Sequence, residues 1–328
     1  MNRPVTSPAA CAACRGVFVA AILCLLALVV ACSKSGPTSP TPPPAVAPLA
    51  LTCPAGIEIA LESGDDVPVT YTAPVPTGGR APVTVNCGPP PGAPFTAGTS
   101  MVTCTASDAA RQEASCSFGV TVSRVPRLSI TTMLAFGDSV TEGKLSLTLA
   151  LLIDSPPHSY PAALNRMLEE RYSRQRFRVM NAGYGGERTT EGGARLDAVL
   201  RAHRPEAVLL MHGTNDLIGD GLPGVQRAAD GLEELVKASV ASGARTYLAT
   251  LPPLGPGPKA SCTECVEPFN ERVRRMAPAK GAVLVDVHQT WGSRTGLMGA
   301  DGIHPTSEGY TAIADAFFEA LRNTLETQ

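Results

Sequence analysis

A serine in a predicted turn is the first place where this chain could do chemistry. Phe136-Gly137-Asp138-Ser139 follows the apolar run Thr132–Phe136, which predicts a short buried strand. Glycine lets the backbone turn sharply, and α/β proteins place a nucleophile or a ligand contact at such a strand end. Taken alone, the motif is more often a helix cap. Asp138 is expected to fix the turn by accepting backbone N–H bonds.

A histidine and an aspartate near the other end of the chain supply what a serine nucleophile needs. A free hydroxyl is nearly unreactive at neutral pH, so a base has to take its proton. His304 is the candidate base, because imidazole titrates near pH ~6.5 in water. Asp301, three residues earlier across a glycine, can hold the tautomer of that imidazole. In isolation His304 is more typical of a surface histidine beside a helix, and Asp286 with His288 forms a weaker pair of the same kind.

Two further stretches follow strand-like runs and contain residues suited to a developing oxyanion. They are Asn181-Ala182-Gly183-Tyr184-Gly185-Gly186-Glu187-Arg188-Thr189 and His212-Gly213-Thr214-Asn215-Asp216. Glycine lets the backbone pass close to a substrate, and asparagine carries an uncharged N–H donor. Asn215 by itself is also typical of an Asx-turn. His212 either lines the pocket or packs in the core, and packing is favoured.

In this order the four stretches resemble the SGNH hydrolase (GDSL esterase/lipase) family, over Thr132–Leu325. The resemblance implies a serine esterase that needs neither a metal nor a cofactor. The implied triad is Ser139, Asp301 and His304. The implied oxyanion donors are the backbone N–H groups of Ser139 and Gly186 and the side-chain amide of Asn215.

Alternating strands and helices are predicted to bring these residues together. The predicted strands are Thr132–Phe136, Phe177–Ala182, Ala207–His212, Thr246–Thr250 and Val283–Val287. The predicted helices are Tyr160–Tyr172, Thr189–Arg201, Val225–Ser242, Cys265–Met276 and Ser307–Leu325. The pattern indicates a flavodoxin-like, doubly wound parallel sheet of five strands, which binds ligands beyond the carboxyl ends of its strands.

Two stretches near the expected site have no assigned chemistry. Lys144–Ser159 contains a leucine-rich run that would either line an acyl pocket or a lid, or form a buried helix or surface loop. Leu251–Pro268 is rich in Pro and Gly and contains Cys262-Thr263-Glu264-Cys265, which we interpret as a disulfide that staples the loop. A redox role or a zinc site would need a different context.

An independent β-sandwich is predicted between Leu51 and Val122. Short alternating runs separated by Pro/Gly turns predict antiparallel strands at Ile57–Leu61, Val67–Tyr71, Val83–Asn86, Ser100–Thr105 and Ser115–Val122. The runs from Gly98 to Asp108 and from Cys116 to Val122 resemble a HYR (hyalin repeat) module, which implies an immunoglobulin-like fold. Such a module would act as an adhesive or carbohydrate-contacting domain or, as we favour, as a spacer.

The N-terminus predicts export and lipid attachment. Arg3 and Arg15 precede the uninterrupted apolar run Val17–Ala31, which suits a signal-peptide core. Small residues before Cys32 resemble a bacterial lipobox, so we expect lipidation at Cys32 and, since Ser33 follows, the outer rather than the inner membrane. The alternatives are an ordinary signal peptide or a single anchor helix. We expect a signal peptide over 1–31, a Pro/Ser-rich tether over 32–50, the sandwich over 51–122, a linker over 123–129 and the hydrolase domain over 130–328.

Composition agrees with an exported protein. The formal net charge of the 328 residues is −2, so no basic field points to a nucleic-acid partner. Outside the signal and the lipidation site six cysteines remain, an even number that suggests disulfides, whose pairing the sequence does not choose. They are Cys53, Cys87, Cys104, Cys116, Cys262 and Cys265.

The sequence leaves three hypotheses for function. The leading one is a serine esterase that cleaves acyl esters of the lysophospholipid type, with a small-molecule or lipid or glycan ester as substrate. The second is a carbohydrate O-acetylesterase in the same fold. The third is a surface adhesion protein whose hydrolase-like domain is inert.

Overall fold

Short β-strands form the N-terminal part of the chain. The structure, a computed structural model, describes residues 45–148 and 151–327, and at Leu151 it describes the backbone only. The strands are β1 (Ala50–Leu51), β2 (Ile57–Leu61), β3 (Asp66–Pro68), β4 (Pro76–Thr77), β5 (Thr84–Gly88), β6 (Pro94–Thr96), β7 (Gly98–Ser107) and β8 (Glu113–Arg124).

A four-stranded sheet of order β2-β8-β7-β5 and the pairs β1-β4 and β3-β6 make up this part. Its core combines Val102 and Phe118 of the larger sheet with Phe95 of β6. Strand β2 pairs with β8 in parallel, so the prediction of wholly antiparallel pairing was wrong at this edge. The two strands lie at opposite ends of the segment, and a connection this long permits parallel pairing.

Disulfides join all six of the predicted cysteines. Cys53 pairs with Cys116, and Cys87 pairs with Cys104. The third bridge, Cys262–Cys265, lies in the later α/β part. These pairs confirm the prediction of disulfides. Cross-links typically contribute ~2–4 kcal/mol each in a small domain whose core is thin.

An α/β part follows. Its elements are β9 (Arg127–Leu128), β10 (Thr132–Gly137), α1 (Ser139–Glu142), β11 (Lys144–Thr148), β12 (Leu151–Asp154), α2 (Tyr160–Arg171), β13 (Arg178–Gly183), α3 (Gly193–His203), β14 (Ala207–Met211), α4 (Thr214–Ala241), β15 (Arg245–Ala249), α5 (Val266–Ala279), β16 (Val283–Val285), α6 (Val287–Trp291), α7 (Ser307–Leu325) and β17 (Glu326–Thr327).

The five-stranded sheet of this part has the order β13-β10-β14-β15-β16, and every pair in it is parallel. Counted along the chain, this order is 2-1-3-4-5, the flavodoxin-like arrangement that the sequence predicted. In register, Gly137 at the end of β10 stands beside Gly183 of β13 and Met211 of β14. The loops that leave these three strands therefore start at one edge of the sheet.

Apolar side chains cover both faces of this sheet. All five residues of β14 are buried, as expected for a central parallel strand. On one side α2 packs against α7, where the rings of Tyr160 and Phe317 stack with centroids 5.1 Å apart. Helix α2 also contacts β13 and α7 contacts β16, so this pair of helices packs on both edge strands of the sheet.

Several elements of the α/β part differ from the sequence prediction. Lys144–Ser159 begins as the antiparallel hairpin β11-β12 rather than a helix. Helix α4 starts at Thr214, not Val225, and its backbone breaks at Gly221, which has φ 61° and ψ −157°. Glycine and proline usually mark a helix boundary, and Gly221 and Pro223 stand just before Val225. The sequence prediction therefore began the helix at Val225 and missed its first turns. The short helix α6 was not predicted.

The strands at the two ends of the α/β part meet. Strand β9 pairs antiparallel with β17, with Leu128 opposite Glu326. Glu326 also accepts hydrogen bonds from the Arg171 guanidinium and from the Tyr172 hydroxyl.

Among the helices that the structure describes, none combines the length and the apolar character that a membrane span requires.

Candidate active site

The nucleophile turn lies between β10 and α1. Asp138 caps α1: its Oδ1 accepts the N–H of Val140 at 3.0 Å, and its Oδ2 accepts the N–H of Thr214 at 3.3 Å. Asp138 therefore holds its own turn and the start of α4 together, as the sequence predicted. Gly137 permits this packing, because a Cβ there would lie 2.0 Å from the carbonyl oxygen of Met211.

Ser139, His304 and Asp301 form one hydrogen-bonded chain. His304 Nε2 lies 2.8 Å from Ser139 Oγ, and His304 Nδ1 lies 2.7 Å from Asp301 Oδ2. All three side chains are buried. The arrangement can perform nucleophilic acyl transfer, because the imidazole can take the hydroxyl proton while the carboxylate fixes its tautomer.

The Asp301 carboxylate is held in its ionised form. Its Oδ1 accepts the backbone N–H groups of Ile303 and His304, each at 3.1 Å. Burial alone would raise the pKa of this carboxyl, but the bonds from the His304 side chain and from the two backbone N–H groups outweigh burial and lower the pKa. The group is thus a permanent acceptor at neutral pH.

The predicted oxyanion donors lie at the start of α1, in the loop after β13 and at the start of α4. Ser139 is the first residue of α1, so its N–H lies outside the intrahelical hydrogen bonds. Gly186 follows β13 with φ +84°, a conformation that favours glycine. One hydrogen of the Asn215 amide is donated to the Glu187 carbonyl at 2.9 Å, and the second remains for a ligand.

The start of α4 anchors the loop that contains Gly186. The buried Asp216 carboxylate accepts the N–H of Thr189 at 3.0 Å and its hydroxyl at 3.1 Å. Burial raises the pKa of Asp216, against these two bonds. Sequence reasoning placed Asn215 but missed Asp216, which stands next to it and fixes the same loop.

Sequence reasoning also missed a largely buried charged cluster behind the loop that contains Gly186, the predicted oxyanion loop. Arg195 forms an ion pair with Glu187, donates to the Gly137 carbonyl at 3.1 Å and lies 3.9 Å from the centre of the Phe136 ring. His212 Nε2 lies 3.0 Å from Glu187 Oε2. His212 is fully buried, so packing was the correct alternative. Nothing in the spacing of these residues signals the cluster.

Arg195 and His212 control the ionisation of Glu187. Burial would raise the pKa of this carboxyl, but the hydrogen bonds and charges of Arg195 and His212 lower it to about 2. Arg195 thus links the oxyanion loop to the end of β10, because it pairs with Glu187 and also donates to the Gly137 carbonyl.

The second acid and histidine pair has other partners. Asp286 accepts from the Arg274 guanidinium at 2.7 Å and from the Thr250 hydroxyl at 3.0 Å. His288 Nδ1 lies 3.7 Å from Glu267. Among the residues that the structure describes, no group of His, Cys, Asp and Glu side chains has the arrangement of a metal site.

The β11-β12 hairpin contacts the loop that contains Asp301 and His304, the proposed catalytic loop. Ser146 Oγ accepts the N–H of Asp301 at 3.1 Å. Beyond this contact the hairpin presents Leu147, which is 56% exposed, and Leu152. The stretch that follows Ser139 thus contacts Asp301 at its base and exposes apolar side chains further out.

Two cavities border the described part of the α/β fold near these loops. One of about 450 Å³ lies between α3 and α4 and is lined by none of the triad or oxyanion residues. Another of about 370 Å³ is lined by residues 253–256 and 291–298, including Leu254, Trp291 and Met298. It adjoins the catalytic loop, because Gly255 donates its N–H to the Gly302 carbonyl at 2.8 Å.

Known proteins share both parts of the chain. Residues 135–312 match the GDSL-like Lipase/Acylhydrolase family, and residues 41–122 match the HYR domain. These matches confirm the two resemblances seen in the sequence.

Two relatives are similar in sequence. The chain is 29% identical over 199 residues to Esterase TesA of Pseudomonas aeruginosa. The aligned segment covers 59% of this chain and 89% of that protein. It is 26% identical over 131 residues to a multidomain esterase of Ruminococcus flavefaciens. That match spans 39% of this chain and 17% of the relative's length.

Solved structures share the fold, among them the following two. An inhibitor-bound aryl esterase of M. smegmatis has a TM-score of 0.53 at 22% identity, over 60% of this chain and 100% of that chain. A carbohydrate acetylesterase of Sinorhizobium meliloti has a TM-score of 0.52 at 19% identity, over 59% of this chain and 99% of that chain.

Proposed function

We propose a catalytic mechanism and a substrate class for this chain, which belongs to the GDSL-like lipase/acylhydrolase family and is a carboxylic ester hydrolase of that type. The proposed catalytic groups are Ser139, His304 and Asp301. The observation that carries the proposal is the 2.8 Å contact between His304 Nε2 and Ser139 Oγ, backed by the 2.7 Å contact to Asp301.

In the first half of the reaction Ser139 Oγ attacks the acyl carbonyl carbon. His304 takes the hydroxyl proton, and the resulting imidazolium is stabilised by Asp301. The carbonyl oxygen becomes an oxyanion, which accepts hydrogen bonds from the oxyanion donors proposed above. The tetrahedral intermediate then collapses, His304 returns the proton to the departing alcohol, and an acyl-enzyme ester remains on Ser139.

In the second half a water molecule takes the place of the alcohol. His304 removes a proton from the water, whose oxygen attacks the acyl carbon. The second tetrahedral intermediate releases the carboxylic acid, and His304 gives the proton back to Ser139. One ester and one water thus yield one acid and one alcohol.

The test is an assay of the purified chain with nitrophenyl esters and a fluorophosphonate probe. Ser139→Ala should abolish both turnover and labelling, while Ser173→Ala, at an exposed serine, should change neither. Equal activity in wild type and Ser139→Ala would sink the proposal. Absence of labelling and turnover in the wild type would instead support an inert adhesion protein.

We favour acyl esters of the lysophospholipid type as substrates. Leu147 and Leu152 are exposed on a hairpin whose base contacts Asp301, and a cavity with apolar lining adjoins the same loop. Apolar surface beside a reaction centre favours apolar acyl chains. Activity that rises from acetyl to octanoyl nitrophenyl esters supports this choice, whereas activity confined to acetyl esters contradicts it.

A carbohydrate O-acetylesterase is the second candidate. The observation that favours it is Tyr184, which is 61% exposed and stands two residues before Gly186. An exposed aromatic ring has the apolar face on which a sugar ring stacks. Release of acetate from an acetylated glycan, together with inactivity on longer acyl chains, would select this candidate.

We also propose that the protein is exported and anchored to the cell envelope, with the outer membrane favoured, through lipid on Cys32. The supporting features are the apolar run Val17–Ala31 and the small residues before Cys32, all of which lie outside the described residues. The boundaries given above for the signal peptide, tether, sandwich, linker and hydrolase domain are part of this proposal. Metabolic labelling with a fatty acid, lost in Cys32→Ala, tests the anchor.

A further inference from the structure

The Asp301 carboxylate accepts a fourth hydrogen bond that the proposed triad does not require. Besides Ile303 N–H, His304 N–H and the His304 imidazole, the Lys259 ammonium lies 3.3 Å from Asp301 Oδ2. A carboxylate offers about four acceptor positions. All of them are filled, and two of the donors share the oxygen that faces the imidazole.

The loop that contains Lys259 is fitted closely to the catalytic loop. Lys259 N–H donates to the Asp301 carbonyl at 3.1 Å. A Cβ at Gly257 would lie 2.2 Å from the carbonyl carbon of Asp301. The Cys262–Cys265 disulfide closes this loop just before α5. Backbone contacts therefore place the start of the lysine side chain, and its ammonium reaches the one buried carboxylate of the triad.

We propose that Lys259 is a positioning residue that fixes the Asp301 carboxylate and extends the activity of the enzyme to lower pH. The inference rests on the proposed triad. A cation at Asp301 offsets part of the carboxylate charge that would otherwise stabilise an imidazolium at His304. The base is therefore available at lower pH than it would be without Lys259. The side chain of Lys259 is 45% exposed, so salt should weaken this effect.

Other charged groups surround the triad and remain in place when Lys259 is changed. Glu142, on the nucleophile turn, lies 3.5 Å from Lys144. Burial, together with the charges of Asp138, Asp301 and Glu142, raises the pKa of Tyr310 in α7, and the Tyr310 hydroxyl donates to the Lys144 carbonyl. Since these groups are the same in every variant, a difference in pH profile between variants at position 259 reports the effect of the lysine charge.

The experiment compares Lys259→Met, Lys259→Arg and Lys237→Met with the wild type. Lys237 is the matched control, since its side chain is 48% exposed and pairs with Glu233 and Glu234 on α4. The readouts are the pH profile of kcat/KM on nitrophenyl acetate and the rate of inactivation by a fluorophosphonate, at low salt and in 1 M NaCl. Thermal melting verifies that each variant folds.

The acid limb of Lys259→Met should move about 0.3–0.5 pH unit upward at low salt. At pH values above the limb, kcat should fall about 2- to 5-fold with little change in KM, because a carboxylate that is less well fixed orients the imidazole less well. Lys259→Arg should restore both quantities, Lys237→Met should match the wild type, and 1 M NaCl should narrow the shift. An unshifted acid limb in Lys259→Met, or a uniform loss that Lys259→Arg does not restore, overturns the inference.

A failed triad can be told apart from a failed role for Lys259. If Ser139→Ala is inactive but Lys259→Met keeps the wild-type profile, only the inference about Lys259 fails. If Ser139→Ala retains activity, the proposed triad fails. An NMR titration of the His304 imidazole then decides the effect of Lys259 without any substrate, with an unchanged midpoint in Lys259→Met counting against it.

Discussion

His304 Nε2 lies 2.8 Å from Ser139 Oγ, although 165 positions separate the two residues in the chain. The first strand of the parallel sheet leads into the serine, and the loop before the last helix contains the histidine. Their contact therefore depends on the whole α/β fold, and variants at the site report both chemistry and folding.

Asp301→Asn should lower kcat by on the order of 10³–10⁴ with a small change in KM. The asparagine amide adds N–H groups where the carboxylate accepts four hydrogen bonds, so the imidazole loses its orienting acceptor. Steady-state kinetics measure the effect, and Asp197→Asn, at an exposed position of α3, serves as the control. The double variant with Ser139→Ala should be no slower than Ser139→Ala alone, because the triad acts as a unit. An Asp301→Asn variant within 10-fold of wild type would count against the triad.

Asn215→Ala should lower kcat by about 10²–10³ while fluorophosphonate labelling of Ser139 persists at a reduced rate. The substitution removes one oxyanion donor and the 2.9 Å bond to the Glu187 carbonyl, but leaves the nucleophile and the base in place. Asn323→Ala, at an exposed position of α7, should behave as wild type. A variant that loses only substrate affinity would show that Asn215 binds the ground state and not the oxyanion.

Acid should weaken the protein partly through Glu187. The Glu187 pKa falls from an ordinary 4.5 to about 2 in the fold, so the folded state binds this proton less readily than the unfolded chain does. The resulting stabilisation is complete above pH 4.5 and is lost as the pH falls towards about 2. Melting temperatures from pH 2 to 7 should show this decline in the wild type.

Glu187→Gln is the matching variant. It should melt lower than wild type at pH 7, because Arg195 is left without its buried partner, and its melting temperature should fall less steeply below pH 4.5. Parallel curves for the two proteins would contradict the assignment.

Gly137→Ala should destabilise the fold by at least about 3 kcal/mol. The added methyl group would lie 2.0 Å from the Met211 carbonyl oxygen and 2.3 Å from Thr141 Oγ1, so the strand and the nucleophile turn have to separate. Gly193→Ala is the matched control, since no heavy atom lies within 4 Å of its Cβ position. Urea unfolding measures both variants. Equal stability of Gly137→Ala and wild type would show that the turn adapts freely.

The sequence predicted the sheet because its strands are apolar runs separated by helical segments. The residues next to the strand ends, such as Ser139 and Asn215, could be located for the same reason. The Lys144–Ser159 stretch could not be assigned, because a leucine-rich run suits a helix, a loop or a hairpin until its neighbours are known. The hairpin β11-β12 contacts Asp301 through Ser146, 155 positions away in the chain, and local pattern does not encode a contact over that separation.

The residues that support the site could not be predicted from the sequence, for a different physical reason. Glu187, Arg195 and His212 lie on a loop, a helix and a strand end, and only the packed fold brings their charges together. Lys259 likewise sits in a Pro/Gly-rich loop, a context that usually indicates a solvated surface. Such long-range pairs carry no fixed spacing, so periodicity and motifs do not reveal them.

The pairing of β9 with β17 places the entry and the exit of the α/β part side by side. A unit whose two ends adjoin can be inserted into a surface loop of another protein with little distortion, and it can be circularly permuted by joining those ends. The α/β part meets this geometric condition, so joining its two ends and opening the chain elsewhere would leave the strands of the parallel sheet in their present order.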